Sequence, residues 1–396
     1  MAGAVNRNSA GLFCDKEQTT LNTTLSTSSR PARQYWLDVA RAIAIISISC
    51  NHAINRAYDN YVDTAAEFAA ISTVSTVFKA FVTIFSRLGV PIFLMISGAL
   101  LLHKRMDGPE DLKRFYRHNL LQLFITAEIW YFLFFWFLVL CTPGGHALRS
   151  ASPIEILRSL VQTMLFQNQV TMNSMWYMSL ILVLYPTIPF LIIVVSHMPL
   201  RYMILPPLLL FLNNMLLPAI NSQVTIDGGT TYTSAIWPAY VGCLYYLYLL
   251  AGYWLSENGL QKVRGRFLGL GMIASYLACV GYQFYTYSRP GNVQVSYSSP
   301  GILLCAVFTF AFIRRFAPYL QKLRRPVTYL SKISLGIYFV HVLLLQLLCW
   351  YGKLPVCPRP IQFLLYEILP VGGSVLVIWL LSHIPILRKR LFLIKN

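Results

Sequence analysis

Charged residues are scarce in this sequence, and acidic residues are the scarcest. Asp, Glu, Lys and Arg together make up only 12% of the 396 residues, about half the share that soluble domains carry. There are 14 acidic residues against 32 basic ones, whereas hydrophobic residues reach 56%. This composition excludes an ordinary multidomain soluble protein and indicates a polytopic membrane protein.

Metal-ligand spacing is also missing. The eight cysteines form neither a CxxC pair nor a Cys/His cluster, so we expect no metal site. Cys349 and Cys357 could meet as a disulfide at one membrane face, although isolated cysteines in apolar segments are commoner. No short apolar leader with a cleavage site precedes the first long apolar segment, so we expect no cleaved signal peptide. No repeat of fixed period stands out.

Basic residues are plentiful, but they are not distributed as in a nucleic-acid-binding protein. The net charge of +18 would suggest nucleic acid as a partner in a soluble chain. Here the Lys and Arg residues form short clusters between apolar runs, which is the distribution of topology signals in membrane proteins. We therefore expect the lipid bilayer as a partner and no nucleic acid.

Apolar segments close to the length of about 20 residues that a membrane span needs recur along the chain. We place ten of them near 36–55, 78–102, 119–141, 176–196, 202–220, 235–255, 267–287, 301–317, 332–351 and 363–384. The predicted fold class is all-α, a polytopic transmembrane helix bundle of about ten spans. Residues 1–33 are polar and rich in Ser and Thr, which predicts a disordered tail, and residues 34–390 form one membrane domain.

The orientation follows from the basic clusters. Most of the 32 Lys and Arg residues, including those in 103–118 and 314–332, fall on one side if the N-terminus is inside. Because Lys and Arg accumulate on cytoplasmic loops, both termini are predicted to be cytoplasmic.

Ionisable side chains inside the predicted spans are candidates for function, because a charge in a membrane helix is costly and usually faces the bundle interior or a water-filled path. The candidates are Asp38, Arg41, His52, Arg87, Glu128, His341, Glu367 and His383. His383 lies beside a basic cluster and receives no role.

The first predicted helix carries Arg41 and His52. They are eleven residues apart, about 20° from eclipsed and roughly 16 Å along the helix axis. Asp38 lies one turn before Arg41 and could pair with it. A cation at the cytoplasmic mouth and an imidazole deep in the bundle would suit a long anionic donor such as acyl-coenzyme A. The spacing is equally compatible with an ordinary cytoplasmic arginine and an interfacial histidine.

Arg87 is predicted near the depth of His52, just before a Gly-Val-Pro bend. There its guanidinium could stabilise a developing oxyanion, or it could extend to the outer interface. Glu128 and Glu367 could orient a histidine, or could be structural partners of Arg87 or of a tyrosine hydroxyl.

The ninth predicted span carries His341, with Tyr338 three residues earlier on the same side of the helix. A buried histidine bonded to its own helix would be a structural feature only. Two intramembrane histidines on helices that can pack together are candidates for a base near neutral pH.

The stretch LDVARAIAIISISCNH resembles the opening motif of the acyltransferase-three family of integral membrane O-acyltransferases, in which ten residues separate an Arg from a His. The resemblance continues through SRLGVPIFLMISGALL, MWYMSLILVLYPTIPFL, YYLYLLAGYWL and SKISLGIYFVHVLLL, and it spans about 33–384. It is closest to the short branch without an attached esterase-like domain, similar to enterobacterial-common-antigen type O-acetyltransferases.

The resemblance implies transfer of an acyl group, usually acetyl, from cytoplasmic acyl-coenzyme A to a hydroxyl of an envelope glycan or lipid-linked sugar. It implies an essential role for His52 and a functional one for Arg41, whereas Tyr338 and His341 match a motif and are expected to line the reaction path. The family's R-x-x-R patch would fall here on Asn119 and Gln122. Arg114 and Arg117 supply that spacing five residues earlier.

The sequence therefore predicts an acetyl-CoA-dependent O-acetyltransferase, multi-pass in a bacterial plasma membrane, with acetyl-CoA as co-substrate. The predicted catalytic residues are His52, Arg87, Tyr338 and His341, and the predicted donor-binding residues are Arg41, Arg114 and Arg117. A homo-oligomer is compatible with this prediction. The alternative is a secondary transporter or exporter with an intramembrane His/Arg relay, although the two halves lack the internal symmetry of many transporters. The acceptor, the acyl chain length and the choice between base and acyl carrier for His52 stay open.

Overall fold

The computed structural model describes residues 33–58, 71–166, 175–226, 231, 244–287, 294–352, 354–355 and 357–394. These residues form helices and turns without any strand, which confirms the all-α class. The predicted disordered tail falls almost entirely outside the described residues, and so does the start of the predicted sixth span.

The described residues contain seventeen α-helices, numbered in chain order. They are α1 Tyr35–Ala57, α2 Thr73–Ser86, α3 Gly89–Leu101, α4 Pro109–Phe115, α5 Leu121–Cys141, α6 His146–Arg149, α7 Pro153–Met164, α8 Trp176–Leu184, α9 Ile188–His197, α10 Leu205–Phe211, α11 Leu217–Ile226, α12 Leu244–Glu257, α13 Gly265–Tyr287, α14 Pro300–Phe316, α15 Arg324–Tyr351, α16 Arg359–Leu381 and α17 Pro385–Leu391. Two π-helical segments, Tyr116–Leu120 and Leu212–Leu216, join α4 to α5 and α10 to α11.

Seven stretches of the described chain are long and apolar enough to cross a membrane. One of them, Pro300–Tyr351, has 52 residues and contains two of the predicted spans, α14 and α15. Helices α10 to α12 correspond to the predicted spans 202–220 and 235–255, but they are interrupted or only partly described. The polytopic helix bundle is therefore confirmed, and the count of ten spans stays a prediction.

The predicted second span is two helices rather than one. Helix α2 begins with the Ser72 side chain accepting a hydrogen bond from the Ser75 backbone N–H at 3.3 Å, and the chain turns at Arg87 and Leu88. Helix α3 then starts at Gly89, which puts Pro91 in its first turn, where the missing N–H costs no helical hydrogen bond. The turn sets Arg87 at a helix junction.

Helix α1 is the centre of the bundle. It packs against α15, α3, α16, α2 and α14. In an apolar window of α1 72% of the residues are buried, against 22% for α13 and 17% for α16, so α1 lies deeper in the bundle than those two helices. The side chains of α1 therefore meet those of several other helices, which is what a site inside the bundle requires.

Helices α3 and α12 cross at very short distance. A Cβ atom on Gly98 would overlap the backbone carbonyl of Leu249, and one on Gly252 would overlap Met95. Small residues let membrane helices approach this closely, so that backbone atoms make the contact. This crossing fixes α3, and with it the junction that carries Arg87.

Six cysteines lie in the described residues, and all six are free thiols. Cys349 and Cys357 are among them, so the disulfide considered from the sequence is not formed. Cys50, Cys279 and Cys305 are buried.

Candidate functional site

Arg41 is held by a polar network between α1 and α15. Asp38, which is 2% exposed, accepts a 2.7 Å hydrogen bond from the Ser331 hydroxyl. Arg41 Nη1 lies 3.8 Å from Asp38 Oδ1 and donates to Ser331 Oγ at 3.2 Å. The expected Asp38–Arg41 pair is therefore present. We call this end of the bundle, where α1 begins, the Arg41 end, and the opposite end the His52 end.

A cavity of about 260 Å³ opens beside Arg41. Its wall includes Ser97 on α3, Tyr185 after α8, and Ser334 and Tyr338 on α15. Tyr338 follows Ser334 by four positions on α15, so the cavity follows that helix for about one turn. The structure thus brings Arg41 and Tyr338 together around one space.

The two intramembrane histidines come together from different helices. The ring centres of His52 on α1 and His341 on α15 are 5.3 Å apart, with an angle of 52° between the ring planes. His341 is 1% exposed, whereas His52 is half-buried. Neither ring lines the cavity beside Arg41, but His341 follows Tyr338 by one turn of α15.

The tautomer of His341 follows from its backbone contact. His341 Nδ1 lies 2.5 Å from the carbonyl oxygen of Ile337, and a carbonyl can only accept, so Nδ1 carries the proton. His341 Nε2 is then the nitrogen with a free lone pair. It is buried and has no hydrogen-bond partner among the described residues. This lone pair is available to accept a proton.

Arg87 lies at the His52 end, close enough to His52 for their charges to interact. Its Nη2 donates to Gln294 Oε1 at 3.1 Å, and its guanidinium lies 5.5 Å from the centre of the Tyr297 ring. Arg87 Nε is buried without a hydrogen-bond partner in the described part of the chain. Arg87 thus reaches into the bundle and pairs with neither Glu128 nor Glu367.

Glu367 on α16 does not orient a histidine. Its Oε1 accepts a hydrogen bond from the Ser49 hydroxyl on α1 at 2.5 Å. Glu128 Oε1 is buried and lacks a hydrogen-bond partner among the described residues. The sequence suggested Arg87 or a tyrosine hydroxyl as the structural partner of these carboxylates. Glu367 instead binds a serine hydroxyl.

Arg114 and Arg117 lie apart from the cavity beside Arg41. Arg114 is 71% exposed and pairs with Asp111 at 3.1 Å within α4. Arg117, in the π-helical segment, borders a separate apolar groove of about 750 Å³ between α5 and α8. Helical conformation does begin at Pro109, earlier than the predicted span, yet it does not bring these arginines to Arg41.

A row of aromatic rings, which we call the aromatic wall, was not predicted as a unit. It runs from Tyr338 to Tyr177 with ring centres 6.0 Å apart, to Trp176 at 6.1 Å, and to Tyr297 at 5.4 Å. Tyr245 packs on Trp176 at 6.2 Å. The wall connects the cavity beside Arg41 with the guanidinium of Arg87. Adjacent Trp176 and Tyr177 were visible in the sequence, but their partners lie on distant segments.

Arg56, near the end of α1, was not among the candidate residues identified from the sequence. It follows His52 by four residues, which is one helical turn, so both side chains lie on the same face of α1. The H-x-x-x-R spacing in HAINR was the signal that could have identified it.

The comparisons with known proteins give one match. A family model described as an acyltransferase domain, that of the acyltransferase-three family, matches residues 34–383. The match includes α1 to α16 and every residue placed above in the candidate site. Neither the curated proteins nor the solved structures contain a match to the chain.

Proposed function

Because this chain belongs to the acyltransferase-three family of membrane acyltransferases, we propose that it moves an acyl group, acetyl in the first instance, from acyl-coenzyme A to a hydroxyl of a glycan or lipid-linked sugar. The observation that carries this proposal is the contact of His52 on α1 with His341 on α15, whose ring centres are 5.3 Å apart. The other end of α1 presents Arg41 to a cavity. The protein lies in the plasma membrane, with its Arg41 end facing the cytoplasm.

Donor binding is assigned to Arg41 and the cavity beside it. The Arg41 guanidinium attracts the phosphates of coenzyme A, and the cavity of about 260 Å³ takes the narrow pantetheine arm. Tyr338 lies at the far end of that cavity, so the thioester arrives next to the aromatic wall, one turn before His341. Arg114 and Arg117 are left with a supporting role in attracting anions to this face.

The transfer step needs a base and a stabilised oxyanion. An acceptor hydroxyl gives its proton to His52 while its oxygen attacks the thioester carbonyl carbon. The tetrahedral oxyanion forms near Tyr338 and Arg87, and its collapse breaks the carbon–sulfur bond. The proton then passes to the coenzyme A sulfur, so that free thiol and acylated acceptor leave. His341, with Nε2 available, shares the proton with His52. If His52 is itself acylated first, the same proton balance applies to two successive steps.

The test is release of free thiol. Purified protein with labelled acetyl-CoA and a hydroxyl acceptor is expected to release thiol and to label the acceptor. Protein that releases no thiol with any acceptor, but moves a glycan or lipid across vesicle membranes, would instead establish the transporter alternative.

A further inference from the structure

Arg56 is a cation that the proposed reaction does not use. It lies in the last turn of α1, is half-buried, and stands one turn beyond His52 on the same face. Its charge is close enough to act on His52 of α1 and on Cys349 of α15. Its side chain forms no hydrogen bond and no ion pair with any residue in the described ranges.

This position is unfavourable for an arginine without a ligand. A half-buried guanidinium loses hydration, and partial burial is normally compensated by a carboxylate or by hydrogen bonds. At the Arg41 end such compensation is present, since the partly buried Arg41 pairs with Asp38. Arg56 also lies at the predicted outer end of α1, where basic residues are under-represented.

Arg87 adds a second positive charge close enough to act on His52. Its hydrogen bond to Gln294 and its contact with the Tyr297 ring are both to uncharged groups. The charges of two guanidinium groups, Arg56 and Arg87, therefore act on His52, and within the described residues neither has a carboxylate partner. The aromatic wall ends at Arg87, so an aromatic ring lies next to the second of these cations.

We propose that Arg56 binds an anionic group of the acceptor, a carboxylate or a phosphate on a sugar ring, while a hydroxyl of that ring lies at His52. The inference rests on the proposed function, because it takes His52 as the point of transfer. A guanidinium one turn from His52 is about 6 Å away along the helix, which is comparable to the width of one sugar ring. Tyr297, which lies against Arg87, is the aromatic ring that the apolar face of that sugar would meet if it reached Arg87.

The test compares matched ligands. A methyl hexuronide carries the carboxylate, its carboxamide is the uncharged counterpart of the same shape, and the methyl hexoside phosphate is the alternative anion. Binding of each to the purified full-length protein is measured by calorimetry, for wild type, Arg56→Gln and Arg158→Gln. Arg158, on α7, is an exposed arginine of the same predicted outer side and serves as the charge control.

Wild type and Arg158→Gln are expected to bind one of the two anions about tenfold more tightly than the carboxamide. This ratio corresponds to one charge-assisted hydrogen bond between the anion and a guanidinium. Arg56→Gln is expected to lose this preference without a change in the Kd for acetyl-CoA. The stronger anion identifies the acceptor charge. Equal binding of charged and uncharged ligands by wild type, no binding of either anion, or a preference that survives Arg56→Gln would overturn the proposal.

Thiol release, measured on the same samples, separates this inference from the proposed function. An anion preference that depends on Arg56 in a protein that releases no thiol would leave the anion site standing and remove the transferase. Thiol release at equal rates with charged and uncharged acceptors would support the transferase and contradict the anion site.

Discussion

At the scale of single side chains, the structure separates two histidines that sequence alone treats as equivalent. His341 is fixed by its own helix through Ile337 and buried, whereas His52 is half-buried and unrestrained by a comparable bond in the described chain. A fixed, buried imidazole suits proton storage, and an accessible one suits contact with both substrates.

Replacing His52 with Ala is expected to lower acyl transfer by about 10²–10⁴-fold, the contribution usual for general acid–base catalysis. His341→Gln is expected to lower it less, because His52 still contacts the substrates. His383→Ala is the matched control, since His383 is exposed and bonds to the Trp379 carbonyl of its own helix at 2.9 Å. Initial rates of thiol release measure all three. Equal rates in His52→Ala and His383→Ala would remove His52 from the chemistry.

Arg41→Gln is expected to raise KM for acetyl-CoA about tenfold, the value of one charge-assisted phosphate contact. Acetyl-pantetheine, which lacks the nucleotide phosphates, should be a poor donor whose KM does not change in this variant. Arg114→Gln is the control, because Arg114 is 71% exposed and pairs with Asp111. A larger effect of Arg114→Gln than of Arg41→Gln would move donor binding to α4.

At the scale of helices, close backbone contact defines the centre of the bundle. The crossing of α3 and α12 leaves no room for a side chain at Gly98 or Gly252. The sequence indicated small residues at both positions, but the pairing of these two glycine-bearing helices depends on distant segments. The sequence indicated a bend after Arg87 but not the division of the second span into two helices. A proline in the first turn of a new helix and a proline inside a kinked helix give the same sequence pattern.

Gly252→Val is expected to destabilise the bundle by about 1–3 kcal/mol or more through overpacking against Met95. The Tm of the purified protein should fall by several degrees, and thiol release should fall with it, because α3 leads to Arg87. Gly281→Ala is the control: a Cβ there meets nothing within 4 Å, so the Tm should not fall. An unchanged Tm in Gly252→Val would mean that the two helices separate at little cost.

At the scale of the whole molecule, composition and periodicity were sufficient for the all-α membrane bundle and for the approximate position of most helices. They were not sufficient for the site. The face shared by Arg41 and His52 followed from one helix, whose geometry is local. The rest of the site depends on how α1, α8 and α15 pack, and a single sequence does not specify this packing. The packing determines the contact of His341 with His52, the aromatic wall, and the position of Arg117 away from the cavity beside Arg41.

The orientation of the bundle is checked by labelling with a membrane-impermeant maleimide. In single-cysteine variants, Cys357 is expected to react in intact cells, and Cys14 only after permeabilisation, because both termini are predicted to be cytoplasmic. Cys305, which is fully buried, should react in neither state and controls for access. The reversed pattern would place the Arg41 end outside and exclude cytoplasmic acyl-CoA as the donor.

The placement of Arg41 and His52 on one continuous helix has a consequence for tolerated changes in chain length. One residue inserted between them would turn His52 by about 100° and shift it by about 1.5 Å relative to Arg41. The imidazole would then leave the face that meets His341, however mild the inserted side chain. Substitution of Ile46, which is 39% exposed, should be harmless by comparison. The number of residues between Arg41 and His52 is thus more constrained than the identity of the lipid-facing residues among them.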